Sequence, residues 1–185
     1  MTAQTWSLIV SFVAMLLIAA SYFVKHKSGF LLFQSAGIVF LMASYLLEGA
    51  YFATVGLGIG LARSLIFFGY EKKDKRAPIA WSYLFSALGI AVYFIINVWI
   101  LKSYVWYDVL YLVGLIFYAF VFRIRNLEWM LYMVTIPTGI SILYNVVSKA
   151  TPFVVISYSF ELGANLLAIL KYHIFEKKEK DCEED

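Results

Sequence analysis

The chain has 185 residues, of which 63% are hydrophobic and 15% are charged, and its mean hydropathy is +0.81. Soluble domains hold roughly 45–50% apolar and about 25% charged residues, so this composition excludes a soluble domain and a disordered chain. A single cysteine, Cys182, excludes an intrachain disulfide scaffold. The formal net charge of +3 does not indicate a nucleic-acid partner, because in so apolar a chain the positions of the charges matter more than their sum.

Seven apolar stretches follow one another along the chain, and each is long enough for a bilayer-spanning helix of about 20 residues. Charged or polar segments separate them, and the longest of these is Glu71–Pro78. The first stretch has no basic segment before it, so we expect it to stay as a helix rather than to be removed as a signal peptide. The predicted spans are Thr5–Val24, Gly29–Leu47, Tyr51–Tyr70, Ile79–Leu101, Val105–Phe122, Trp129–Val147 and Thr151–Phe175.

The lysines and arginines predict how these helices are oriented. With seven spans, the loops after helices 1, 3 and 5 share one side of the membrane with the C-terminal tail. The other side carries only Lys102 and Lys149, and Arg63 lies within helix 3. Because cytoplasmic loops carry an excess of Lys and Arg, we expect a multi-pass inner-membrane protein with its N-terminus outside and its C-terminus in the cytoplasm. The basic residues on the predicted cytoplasmic side are Lys25, Lys27, Lys72, Lys73, Lys75, Arg76, Arg123, Arg125, Lys171, Lys177, Lys178 and Lys180.

Helices 1–3 and helices 5–7 share a pattern that indicates an internal repeat. Lys25-His26-Lys27 after helix 1 corresponds to Arg123-Ile124-Arg125 after helix 5, and helices 3 and 7 both end in Glu-Lys-Lys. The alternative explanation is that short loops and basic helix ends recur in any membrane protein. A second three-helix copy would be inverted unless helix 4 restored its orientation, which gives a 3+1+3 parallel repeat. The predicted units are a first three-helix bundle at 1–70, a linker helix with its loops at 71–103, a second bundle at 104–175 and a charged cytoplasmic tail at 176–185.

Two segments give the chain a resemblance to a known family. One is Gly49-Ala50 followed by Gly60-Leu61-Ala62-Arg63-Ser64-Leu65-Ile66, and the other is Phe122-Arg123-Ile124-Arg125 followed by Tyr144-Asn145. In these segments the chain resembles the YgjV family of bacterial inner-membrane proteins, and its plan is similar to that of the SWEET and PnuC (MtN3-like) transporters. The resemblance implies a transporter-like fold, in which parallel repeats hold a substrate near the membrane midplane.

Two charged residues are predicted at membrane depth, Arg63 near the middle of helix 3 and Glu161 near the middle of helix 7. A charge at the bilayer centre costs at least about 2.5–3.5 kcal/mol, and such residues face the bundle interior and pair. We therefore expect an Arg63–Glu161 ion pair. Two interpretations stay open: a static bridge that docks the two halves, and a pair that lines the substrate pathway and exchanges partners during transport.

Smaller residues extend these predicted faces. Gly56 and Gly60 share the face of the helix 3 arginine, and their spacing predicts that another helix approaches closely there. Asn97 and Asp108 are expected at the outer membrane interface, where Asp108 could attract a cationic solute. The predicted substrate-binding residues are Gln34 on helix 2, Arg63 on helix 3, Ser141 and Asn145 on helix 6, and Ser157, Glu161 and Asn165 on helix 7.

The sequence contains none of the common motifs of catalysis, such as HExxH, CxxC or a phosphate-cradling glycine loop. We therefore expect no enzyme, no cofactor and no metal. The favoured function is a membrane transporter or facilitator of a small polar solute (vitamin-, nucleoside- or sugar-like), which binds at a midplane site between the two bundles. The expected partners are this solute and the lipid bilayer, and a homo-oligomer is compatible with the prediction. The alternative is a non-transporting membrane accessory or assembly protein in which Arg63 and Glu161 form a structural pair.

Overall fold

A computed structural model of the protein describes residues 3–47, 51–103, 105–149 and 152–183. Within these ranges the chain is all-helical, without strands, and it forms a helix in each of the seven predicted places. The fourth helix ends in a π-helical segment, Phe94–Ile100. The helices are α1 (Ala3–Ser21), α2 (Lys27–Leu47), α3 (Tyr51–Lys72), α4 (Ile79–Tyr93), α5 (Asp108–Val121), α6 (Leu127–Val147) and α7 (Pro152–Glu183).

Several helices have the length and composition of membrane spans. Four are long and apolar enough to cross a bilayer: α2, α4 together with its π-helical segment, α6, and Val154–His173 within α7. Two further apolar helices, Thr5–Ser21 and Asp108–Val121, are shorter. The α3 helix contains Arg63 and four glycines, which lower its hydropathy. These helices support a multi-pass membrane protein.

The tryptophans separate into two environments. Trp6, Trp99, Trp106 and Trp129 lie near helix ends with 51–80% of their surface exposed, as the aromatic belt of a membrane protein requires. Trp81 differs, because its ring stacks on Phe85 with the ring centroids 5.9 Å apart. Its indole N–H also donates a hydrogen bond to the Tyr70 hydroxyl at 3.2 Å. Four of the five tryptophans therefore have the position and exposure of an aromatic belt, whereas Trp81 packs against Phe85 and Tyr70.

The helices pack as two groups of three. In the first group α1 packs on α2 and α2 on α3, and in the second α5 packs on α6 and α6 on α7. The contacts of α4 with α3 and α5, and of α1 with α7, are less extensive. Gly37 allows α1 and α2 to approach closely, since a Cβ atom there would lie 2.6 Å from Ile18 Cγ1 and 3.2 Å from the backbone oxygen of Ala14. The same interface contains a hydrogen bond of 2.8 Å between the hydroxyls of Ser7 and Ser44.

An apolar core occupies one end of the bundle. This end, here called the basic end, comprises the loops at 22–26, 73–78 and 122–126 and the helix termini beside them. The rings of Tyr22, Phe30 and Phe122 pack edge to face, with centroid distances of 5.3 Å and 5.9 Å. The fully buried residues Leu31 and Met130 belong to the same core. Because these residues come from α1, α2, α5 and α6 or from the turns that follow them, the core joins the two groups of helices.

Charged residues close the basic end over this core. Lys27 is buried and forms an ion pair of 3.0 Å with Glu71, which ties the start of α2 to the end of α3. Arg123 donates a hydrogen bond of 3.0 Å to the backbone carbonyl of Ala77, and Arg125 pairs with Asp74. The loop between α5 and α6 is thereby fastened to the loop between α3 and α4.

Candidate functional site

A pocket lies at the end of the bundle opposite the basic end, among α3, α4 with its π-helical segment, α5 and α6. Its volume is about 240 Å³, and it is partly open to its surroundings. This is below the range of about 300–1,000 Å³ that is typical for sites of drug-sized ligands, so the pocket suits a smaller molecule. Three tyrosine rings and one amide supply its polar atoms. The lining residues are Gly56, Val92, Tyr93, Ile96, Asn97, Leu101, Tyr111 and Tyr144.

Asp108 accepts hydrogen bonds from two of the tyrosines that line this pocket. Its carboxylate accepts hydrogen bonds from the hydroxyl of Tyr93 at 2.5 Å, from the hydroxyl of Tyr144 at 3.4 Å and from the backbone N–H of Val105 at 3.2 Å. The residue is only 5% exposed and lies in the first turn of α5, where the helix dipole stabilises a negative charge. Asp108 therefore lies at the start of α5 as expected, with a buried carboxylate that already accepts three hydrogen bonds, and its attraction for a cationic solute stays a prediction.

The glycine face of α3 lines open space rather than a helix contact. A Cβ atom at Gly60 would meet no atom within 4 Å, and one at Gly56 would meet only the Tyr111 hydroxyl, at 3.9 Å. The predicted close approach of another helix at these glycines is therefore wrong. Gly56, which lines the pocket, shares one face of α3 with Gly60 and Arg63.

Arg63 is held by aromatic rings and has no anionic partner among the described residues. The carbon of its guanidinium lies 4.8 Å from the ring centroid of Phe122 and 5.8 Å from that of Tyr118, within the range of cation–π attraction. The phenols of Tyr111 and Tyr118 lie within electrostatic range of the charge. In the described ranges no residue forms an ion pair with Arg63, and its buried Nε atom has no hydrogen-bond partner there.

Glu161 has a different partner from the one that the sequence predicts. Its carboxylate accepts a hydrogen bond of 2.6 Å from the hydroxyl of Tyr22. The ion pairs between described residues are Lys27–Glu71 and Arg125–Asp74, so the expected direct Arg63–Glu161 pair is wrong. Tyr118 lies within electrostatic range of both charges, so the two residues occupy the same region. The two charges differ from the expectation because Arg63 contacts the ring faces of Phe122 and Tyr118, while Glu161 accepts its hydrogen bond from a phenol.

Two double-mutant cycles should show which partner Glu161 binds. Tyr22→Phe and Glu161→Gln should be strongly non-additive, because a hydrogen bond to a charged group contributes about 1.5–3 kcal/mol. Arg63→Gln and Glu161→Gln should couple more weakly than the first pair, since no ion pair joins these two residues. The measurement is the free energy of unfolding of the purified protein in detergent. Strong coupling in the second cycle together with additivity in the first would restore the direct ion pair.

Most of the other predicted site residues form hydrogen bonds, either to a residue outside their own helix or to a backbone carbonyl of the same helix. Gln34 donates to the Ser21 hydroxyl at 3.2 Å, and Asn165, fully buried, donates to the Leu131 carbonyl at 3.0 Å. Ser141 and Asn145 donate to carbonyls within α6 at 2.8 Å and 2.7 Å, and Ser157 is half-buried. No group of three or more His, Cys, Asp and Glu side chains in the described ranges could hold a metal ion. The motif residues Gly49 and Ala50 lie outside the described residues.

The tyrosines are the site residues that the sequence-based prediction missed. Tyr93, Tyr111 and Tyr144 line the pocket, Tyr118 supports the arginine and Tyr22 binds Glu161. One signal was present in the sequence, because Tyr111 and Tyr118 are two helical turns apart on α5 and therefore share a face. On that face Tyr118 is half-buried, whereas Tyr111 is exposed where it lines the partly open pocket; tyrosine is also common at membrane interfaces.

Comparison with known proteins gives one match. Residues 5–175 match the family model Imp-YgjV, which is described as a bacterial inner membrane protein. The match covers most of the chain, including the pocket and both interior charges. No curated protein and no solved structure matches the chain.

Proposed function

The chain belongs to the Imp-YgjV family of bacterial inner membrane proteins, and on this premise we propose that it carries a small polar solute across the inner membrane. The observation that supports the proposal most directly is Arg63, a charge in the middle of a membrane helix that has no counter-ion among the described residues. Charged residues at such depth commonly mark substrate and ion pathways. A static scaffold would gain from pairing or losing this charge, whereas a carrier needs it free for its solute.

The difference between the two ends of the bundle supports transport by alternating access. The basic end is closed by the apolar core and by the contacts of Lys27 with Glu71 and of Arg123 with Ala77. The opposite end has a pocket lined by Gly56, on the face of α3 that also carries Gly60 and Arg63. A carrier in one of its two end states has this form, since rocking of one bundle against the other opens each side in turn.

We propose that the two groups of helices are the halves of a 3+1+3 parallel repeat, as in the SWEET and PnuC transporters. In this plan α1–α3 and α5–α7 are the two bundles within 1–70 and 104–175, and α4 is the linker that restores the orientation of the second. The more extensive packing inside each group than between groups supports this division. The interior charges then come one from each half, with Arg63 on α3 and Glu161 on α7.

The proposed orientation places the basic end in the cytoplasm and the pocket toward the outside. In a Cys182→Ser background, single cysteines at positions 102 and 149 should react with a membrane-impermeant maleimide added to intact spheroplasts. Cysteines at positions 73 and 125 should react only after the cells are lysed, because the Lys and Arg excess directs these loops inward. Labelling of position 73 from the outside would invert the topology.

Uptake by the reconstituted protein tests the proposed function. Solutes are first screened by their effect on thermal unfolding, because a ligand that binds the native state raises its apparent stability. Each stabilising solute is then offered, radiolabelled, to proteoliposomes preloaded with the same unlabelled solute. We expect counterflow that exceeds that of protein-free liposomes. Binding without counterflow for every solute would contradict transport and favour the accessory or assembly role.

A further inference from the structure

The charged groups of the described interior differ in how well they are compensated. Asp108 accepts three hydrogen bonds at the start of a helix, and Glu161 accepts one from Tyr22. Lys27, at the basic end, is paired with Glu71. Arg63 has only ring faces, with no hydrogen-bond acceptor or carboxylate beside it in the described ranges. Arg63 therefore lacks a counter-ion, and its buried Nε atom also lacks a hydrogen-bond partner among the described residues.

The pocket and this charge lie along the same face of α3. Gly56 lines the pocket, Gly60 adjoins open space, and Arg63 lies two helical turns, about 10 Å, from Gly56 along the axis of α3. Tyr111 belongs to both regions, since its ring lines the pocket and its phenol lies within electrostatic range of Arg63. A small molecule in the pocket therefore has the arginine ahead of it on the same helix face.

The surroundings of Arg63 leave its hydrogen-bond donors available. Phe122 and Tyr118 contact the guanidinium through their rings, and a ring face attracts the cation without accepting its N–H groups as a carboxylate would. The guanidinium group presents a rigid fork of donors that matches the two oxygens of a carboxylate or phosphate. No described residue supplies such oxygens to it.

We propose that the carried solute is an organic anion whose carboxylate or phosphate group binds Arg63, an inference that rests on the proposed transport function. The anion enters through the pocket, where Tyr93 and Tyr144 direct their hydroxyl protons to Asp108 and present their rings to the solute. Asp108 does not repel it strongly, because three donors and the helix dipole offset its charge. Arg63 then provides the one strong electrostatic attraction on the path.

A matched pair of small probes tests the charge requirement in the wild-type protein. The full chain in phosphatidylcholine nanodiscs is unfolded thermally with sodium benzoate, with its neutral isostere benzamide, and with inorganic phosphate. We expect benzoate or phosphate to raise the midpoint temperature several-fold more than benzamide does at equal concentration. Equal shifts for benzoate and benzamide with none for phosphate, or no shift with either anion, would overturn the proposal. The comparison needs no variant and so does not depend on how a variant folds.

Substitutions of Arg63 test whether the rise in midpoint temperature caused by the anions depends on this residue. Arg63→Gln should abolish the shift caused by the anions, while its midpoint temperature without anion should equal or exceed that of the wild type, because an uncompensated charge leaves the membrane interior. Arg63→Lys should reduce the shift, since it keeps the charge and loses the fork. The matched control is Arg125→Gln at the exposed Arg125–Asp74 pair, which should keep the shift. An undiminished shift in Arg63→Gln would overturn the proposal.

Two further experiments distinguish a solute anion from a lipid headgroup, and a failure of the anion proposal from a failure of the transport proposal. In nanodiscs that contain phosphatidylglycerol, benzoate or phosphate should still raise the midpoint temperature. Loss of this rise would indicate that Arg63 binds a lipid headgroup, and it would overturn the proposal of an anionic solute. In proteoliposomes, counterflow of neutral solutes without that of anions would overturn the charge assignment while transport stands. Anion binding that depends on Arg63, without counterflow, would support the assignment while transport fails.

Discussion

Gly60→Leu is expected to abolish solute uptake and to leave the protein folded. The position adjoins open space, and a Cβ atom there would have no atom within 4 Å, so a leucine side chain meets no obstacle as the protein folds. It instead fills the passage between the pocket and Arg63. Replacing a helical glycine also removes a conformational cost of about 1 kcal/mol, so the midpoint temperature should stay equal or rise. Counterflow in proteoliposomes and thermal unfolding are the two measurements.

The matched control for this prediction is Gly69→Leu. Gly69 lies on the same helix and also adjoins open space, but nine residues rotate it by about 180° from Gly60. We therefore expect Gly69→Leu to fold and to transport. Normal uptake by Gly60→Leu, or equal loss of uptake in both variants, would show that the face of Gly56, Gly60 and Arg63 is not the passage.

The same substitution at Gly37 should have the opposite outcome and prevent stable folding. A Cβ atom there would lie 2.6 Å from Ile18 Cγ1 and 3.2 Å from the Ala14 backbone oxygen. Ile18 is β-branched and stiff on a helix, and a backbone oxygen moves only if α1 moves. Overpacking costs about 1–3 kcal/mol even where side chains can adjust, so we expect Gly37→Leu to lie at or beyond the upper end of this range.

The readout for Gly37→Leu is the yield of monodisperse protein and its midpoint temperature. The separation of α1 from α2 should also weaken the hydrogen bond between Ser7 and Ser44 in the same interface. Gly60→Leu is the control for the chemical change, because it adds the same side chain where there is room. If Gly37→Leu were as stable as the wild type, the close approach of α1 and α2 would not be a feature of the folded protein.

The sequence predicts the helices well because membrane insertion leaves a strong signal. Seven apolar stretches bounded by charges became seven helices, and most ends agree within a few residues. The first and fifth helices are shorter than predicted, ending at Ser21 and Val121, where turns follow. Arg63 and Glu161 were identified for the same physical reason, since charges at membrane depth are costly.

The partners of these charges could not be predicted because composition does not encode rotation of one helix against another. The repeat pointed to Glu161 as the partner of Arg63, yet Tyr22 and the rings of Tyr118 and Phe122 take these places. The glycines show the same limit. A GxxxG spacing describes small residues on one face, and it is equally consistent with a close helix contact and with a cavity. Only the structure distinguishes the two, and here it shows no close helix contact at Gly56 and Gly60.

The inward packing of Trp81 gives the protein an optical reporter of its own. Four tryptophans face the surroundings of the bundle, so brominated lipids would quench their fluorescence and leave the emission of Trp81. That emission depends on the stacking on Phe85 within α4 and on the hydrogen bond to Tyr70, which joins α4 to the end of α3 at the basic end. Opening of this end would expose the indole and move its emission to longer wavelength. Cycling of an unmodified chain could thus be followed in real time without any attached dye.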